Sequence, residues 1–207
     1  MMSHRAAREV IREAWALRGH PDPTLPMLQL AQAVGHLESG YGSHVTAAPP
    51  AHNWGSTQAT WAPKCPAPSP EMTDGYCWPC PPGTFDHLDT DEHGTPYQGC
   101  FTRYDSDAEG AADMLREILR RPGALEAMQA GSSAGLASAL RNAPYPPGAY
   151  FAFNEDKVAH GYQIRAEAIA KALDEPLAVS PGGSSPRAWL PLLVAAAVVG
   201  GVVWWQA

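Results

Sequence analysis

LQLAQAVGHLESGYG, Leu28 to Gly42, is the stretch on which the fold turns. Thr24 offers a cap ahead of it and Pro26 falls in the first turn, so a helix should open there, run through the stretch and stop at Gly40. Glu38 then lies near the C-terminal end of that helix. Ala31 and Val34 share its stripe at helical spacing, which places the carboxyl on the face of small apolar residues that turns inward. A solvated surface glutamate needs no such neighbourhood.

Working outward, apolar residues at Ala7, Val10, Ile11, Ala14 and Leu17 predict an amphipathic helix over Ala6–Leu17, closed by Gly19, Pro21 and Pro23. Thr46 to Cys100 shows no sustained helical period and is rich in Pro and Gly, which reads as an irregular lobe. Inside it, FDHLDTDEHGTPYQGCFTRY, Phe85 to Tyr104, predicts a hairpin turning near His93-Gly94. Ser106 and Glu109 form a capping box for the next helix, whose stripe is Ala111, Leu115, Ile118 and Leu119 before Pro122-Gly123. Shorter helices are expected over Leu125–Gln129 and Ser133–Asn142. A last one is capped by Asn154, carries Val158, Tyr162, Arg165, Ile169, Ala172 and Leu173, and ends at Pro176. Helices, a β-rich lobe, then helices make an α+β domain over residues 1–176.

LESGYG, Leu37 to Gly42, is followed by NWGSTQ, Asn53 to Gln58, and later by FTRYDSDAEGAADML, Phe101 to Leu115. In this order the motifs resemble the bacterial and phage glucosaminidases of the lysozyme superfamily, whose catalytic Glu ends a helix as A-x-x-E-S-x-x-G ahead of an N-[FW]-G segment. The resemblance touches most of residues 24–174, including Tyr145 and the helix GYQIRAEAIAKAL. It implies a lysozyme-like fold, peptidoglycan as the partner, and Glu38 as the catalytic acid. Two segments depart from the family pattern: the Cys-rich insertion from Ala59 to Cys100 and the extended PYPPGAYFAFNED, Pro144 to Asp156.

The chemistry asks independently for a group like Glu38. A glycosidic oxygen leaves poorly unless it is protonated as the bond breaks, and a half-buried carboxyl can hold that proton. A second carboxylate, as base or charge stabiliser, is available in the hairpin cluster of Asp86, Asp89, Asp91 and Glu92; Asp89 or Asp91 is favoured, against the alternative of a solvated acidic turn. With no second carboxylate in place, the single-acid chemistry of a lytic transglycosylase stays open beside hydrolysis. Tyr41, Trp54, Tyr145 and Tyr150 offer faces for sugar stacking, or serve as core; Asn53 and Gln58 offer hydrogen bonds to N-acetyl groups. A catalytically silent glycan-binding protein is the rival from another class.

The four cysteines, Cys65, Cys77, Cys80 and Cys100, all fall in the lobe. Two disulfides suit a small irregular region, and a zinc site suits the CWPC pair; disulfides are favoured because peptidoglycan lies in an oxidising compartment. DTDEHG opens like a calcium loop, but Cys100 stands where that loop needs its bidentate Glu. No cofactor and no catalytic metal are expected. A formal charge of −7 is the wrong sign for nucleic acid.

MMSHRAAREVIRE, Met1 to Glu13, carries charges where a signal peptide needs an apolar run. From Ala188 to Trp205 the chain holds no charge, a length close to the roughly 20 residues that cross a bilayer. SPGGSSP, Ser180 to Pro186, reads as a flexible spacer. The expected organisation is a domain over 1–176, a linker over 177–187 and a single-pass membrane anchor over 188–207. That topology suits a phage lysis protein, a virion membrane or a bacterial envelope enzyme.

Overall fold

The computed structural model describes residues 2–42, 51–55, 65–66, 80, 82–90, 96–141 and 155–181. At its centre is helix α2, Leu25–Ser39, which follows α1, His4–Leu17. α2 buries residues around its whole circumference: Leu30, Ala31, Ala33 and Val34 reach 0 % exposure, and so do Gln29 and Gln32. A helix enclosed on all sides must satisfy whatever polar groups it carries. Gln29 does so by donating to the Pro176 carbonyl and accepting from the Ala178 amide, and Gln32 by donating to the His4 carbonyl and accepting from Arg8 Nε.

α1 starts where Ser3 Oγ accepts from the Ala6 amide. Its buried face is Ala7, Ile11, Ala14 and Trp15, with Arg8 alongside, whereas Leu17 is 61 % exposed. The expected stripe therefore ends on Trp15 instead of Leu17. Burying Arg8 is tolerable because its guanidinium meets Gln32 and, at 2.8 Å, Glu175.

The lobe contains a three-stranded antiparallel sheet in the order β1-β3-β2, with β1 at Cys65–Pro66, β2 at Thr84–Thr90 and β3 at Pro96–Thr102. The hairpin pairs Phe85 with Phe101 and Thr90 with Pro96; residues 91–95, where its turn was expected, lie outside the described residues. Phe85 and Phe101 stack at 5.9 Å and, with Ala51, form a small core of their own. Cys80 and Cys100 form a disulfide, which ties β3 to the chain ahead of β2. Of the other two cysteines, Cys65 belongs to β1 and Cys77 lies outside the described residues.

α3, Asp107–Leu119, opens on the expected capping box: Ser106 Oγ accepts from the Glu109 amide, and Glu109 Oε2 reaches back to the Asp105 amide. α4 spans Ala124–Gln129, α5 Ser133–Arg141 and α6 Glu155–Leu173. α3 packs on α1, while α6 packs on α2 and α5, so one helical core surrounds α2 and the sheet stands beside it.

The chain does not leave the body at Pro176. Val179 is buried, its carbonyl accepts from Gln163, and Ser180 bridges Gly131 and Ser133 through its amide and carbonyl. The folded unit thus runs to Ser180, because buried amides on α2 and α6 need the backbone of residues 176–180 as partners. Among the described residues no helix is long and apolar enough to cross a membrane; residues 188–207 lie outside them.

Candidate functional site

Glu38 is half-buried in the last turn of α2, and the backbone around it is unusual. Gly40, Tyr41 and Gly42 all take positive φ, at 56°, 61° and 75°. Glycine does so without penalty, but for Tyr41 the left-handed region costs about 1–2 kcal/mol. Surrounding contacts hold it there. The Gly40 amide donates to the His36 carbonyl and the Tyr41 amide to the Gly35 carbonyl, both at 3.1 Å, so Glu38 sits within a hydrogen-bonded loop closed by Tyr41.

Ser39 fastens this turn to the returning chain. Its hydroxyl donates to the Trp54 carbonyl and accepts from the Gly42 amide, both at 2.8 Å. Trp54 in turn lies flat against α2 where residue 35 is glycine. A Cβ there would stand 2.8 Å from Trp54 Cε3, closer than any side chain tolerates. The indole Nε1 donates to Asp107 Oδ1 at 3.0 Å, and His52 Nδ1 meets the same oxygen at 3.0 Å. A carboxylate only accepts, so His52 carries a hydrogen on Nδ1 and donates it to Asp107.

His52 is itself left-handed, with φ 50°, and its carbonyl presses on α3 at Gly110, where a Cβ would come within 1.7 Å. Asn53 is 1 % exposed and donates to the Thr102 carbonyl, while the Tyr104 amide donates to the Ala51 carbonyl. Residues 51–54 therefore join three elements: the end of α2, strand β3 and the start of α3. Chemically, the arrangement fixes one half-buried carboxyl and one oriented imidazole on a rigid frame.

Tyr41 and Trp54, at 2 % and 0 % exposure, are core side chains. Tyr41 packs against Trp54 at 5.2 Å, His36 at 5.0 Å and His4 at 5.8 Å, so protein occupies the faces on which sugar was expected to stack. Asn53 likewise spends its amide on β3. Burial drives the Tyr41 phenol far above its ordinary value, outweighing the Gln32 hydrogen bond and the charges of Arg8 and Arg165. Asp89 lies on β2 opposite Tyr97. Asp91, Gln58, Tyr145 and Tyr150 fall outside the described residues. Among the described residues no His, Cys, Asp or Glu cluster forms a metal site.

Sequence reading missed Ser39, His52, Asp107 and His4. Ser39 stood inside the quoted LESGYG and His52 directly before NWG, so both were in view. Nothing local marked Asp107 or His4, whose partners are distant in the chain.

No protein-family model and no curated protein matches this chain. Among solved structures it is similar to the glycoside hydrolase domain of Salmonella typhimurium FlgJ, at 20% identity and TM-score 0.48, covering 84% of this chain and 91% of that one. A C-terminally truncated form of the same domain aligns at 20% identity and TM-score 0.47, covering 80% and 93%.

Proposed function

We propose that the protein is a peptidoglycan glycosidase in which Glu38 is the general acid. The observation that carries this reading is the construction around Glu38. A half-buried carboxyl in the last turn of α2 is followed by three left-handed residues and pinned through Ser39 to Trp54. Strain maintained by surrounding contacts is what a preorganised site requires and a surface glutamate does not. Glu38 protonates the glycosidic oxygen as the bond to the leaving sugar breaks, and water or the substrate's own acetamido or hydroxyl group completes the displacement. The order of LESGYG and NWGSTQ supports a lysozyme-like domain and cleavage of the N-acetylglucosaminyl bond. Asp89 and Asp91 are the candidates for the second carboxylate. Residues 188–207 supply a membrane anchor, in keeping with a phage-encoded or envelope enzyme.

Glu38→Gln preserves volume and removes the proton. It should lower the rate of sacculus digestion by about 100-fold or more while leaving the melting temperature nearly unchanged. Digestion at the wild-type rate would refute the assignment. Mass analysis of the released muropeptides names the bond: reducing N-acetylglucosamine ends agree with the proposed type, reducing muramic ends point to a muramidase, and anhydro-sugars to a transglycosylase.

A further inference from the structure

The strained Tyr41 is tied to helix α1 by the side chain of His4. Its hydroxyl lies 2.8 Å from His4 Nδ1 in the first turn of α1, while its amide closes the loop that contains Glu38. We propose that His4 is a positioning residue for Glu38: by holding the Tyr41 hydroxyl it keeps Tyr41 left-handed and so fixes the last turn of α2. This inference rests on the catalytic reading of Glu38.

The hydrogen-bond directions around Tyr41 support it. Its phenol keeps its proton, because burial holds it far above the ordinary value, and the Gln32 bond has the sense of a donor towards the phenolic oxygen. The Tyr41 hydrogen therefore goes to His4, which must accept it as a neutral ring on Nδ1. A protonated His4 would leave that buried hydrogen without an acceptor, at the cost of an unmade bond. Burial is what disfavours the imidazolium. Around the pair, Arg5 and Arg8 lie on its own helix, His36 and Glu38 on α2 and Arg165 on α6, while Glu175 pairs with Arg8. His4 also lines a surface cleft of about 360 Å³ with Ser3, Arg5, His36 and Leu173, which opens the ring to solvent protons.

The direction of the pH effect follows. Burial lowers the pKa of His4 below its ordinary 6.5, so on acidification the unfolded chain takes up its proton before the folded chain does. The stabilisation from this contact is fully present above pH 6.5 and drains away as pH falls below it.

The test compares His4→Phe, His4→Gln and Glu38→Gln with the full wild-type chain on purified sacculi from pH 4.5 to 8. His4→Phe, which keeps a ring but no acceptor, should lower kcat by about tenfold at pH 7 with KM unchanged. His4→Gln keeps an acceptor that does not titrate. It should restore most of that rate and weaken the loss of kcat and of melting temperature seen in the wild type as pH falls below 6.5. The inference is overturned if His4→Phe stays within about twofold of wild type at all pH values, or if His4→Gln keeps the wild-type acid limb. Should His4→Phe fail to fold, the wild-type and His4→Gln profiles still decide. Flat His4 variants with an inactive Glu38→Gln remove the positioning role alone; an active Glu38→Gln removes both readings.

Discussion

Gly35 shows how closely the site is built. The Trp54 indole rests on its bare Cα, and only the absence of a side chain lets the returning segment reach α2. Gly35→Ala would place a methyl 2.8 Å from Trp54 Cε3, with Met114 Sδ at 3.5 Å on the other side. Neither neighbour can withdraw far in a core where Trp54 and Met114 are both at 0 % exposure. The substitution should cost about 1–3 kcal/mol of stability in a denaturant titration, despite alanine's better helix propensity. It should also slow the proposed wall digestion, because a displaced Trp54 releases the Ser39 bond next to Glu38. A variant as stable as wild type would show that the indole can slide without consequence. Trp54 itself was legible as an aromatic beside an Asn-Trp-Gly turn. Its burial was not, since neither Gly35 nor Asp107 is near it in sequence.

At the scale of elements, the hairpin and helix α3 were the most readable, because their signals are local. Ser106-x-x-Glu109 is a capping box in sequence and in space, and the Phe85 to Tyr104 stretch pairs as a hairpin with Phe85 opposite Phe101. What supports that hairpin is less local. Among the described residues its small core consists of Ala51, Phe85 and Phe101, and the Cys80–Cys100 disulfide adds a covalent restraint. Cys80→Ser with Cys100→Ser should destabilise the lobe by about 2–4 kcal/mol. Amide exchange should rise in β2 and β3 before it rises in α2, because the helical core does not depend on the bond. Equal acceleration in both regions would mean that the lobe and helices unfold as one unit.

At the scale of the whole molecule, the C-terminal segment closes the fold. Gln29 on α2, Gln163 on α6 and Ser133 on α5 each spend a polar group on the backbone between Pro176 and Ser180. A chain cut after Pro176 removes the Ala178, Val179 and Ser180 partners of Gln29, Gln163 and Ser133 and uncovers Val179's site, and should lose about 2–4 kcal/mol. A chain cut after Ser185 keeps every one of these contacts. It should melt like the full protein, retain the proposed glycosidase activity and no longer float with lipid vesicles. Equal melting temperatures for the two truncations would return the domain boundary to Pro176; flotation of the longer one would place any membrane contact outside residues 188–207.

Local signals were enough for the order of the helices, the stop of α2 at Gly40, the start of α3 at Ser106, the presence of the hairpin and the place of Glu38 in the last turn of α2. The helix signals rest on interactions within a few residues and the hairpin on two adjacent strands, which periodicity, capping chemistry and turn residues record directly. Packing in three dimensions set the rest: Leu17 faces solvent and Arg8 does not, Tyr41 and Trp54 are buried in the core, and the chain stays docked to Ser180. It also brought His4 to Tyr41 and Asp107 to His52 and Trp54. Those outcomes depend on partners brought together across the chain, as much as 167 positions apart, and no local pattern encodes such a meeting.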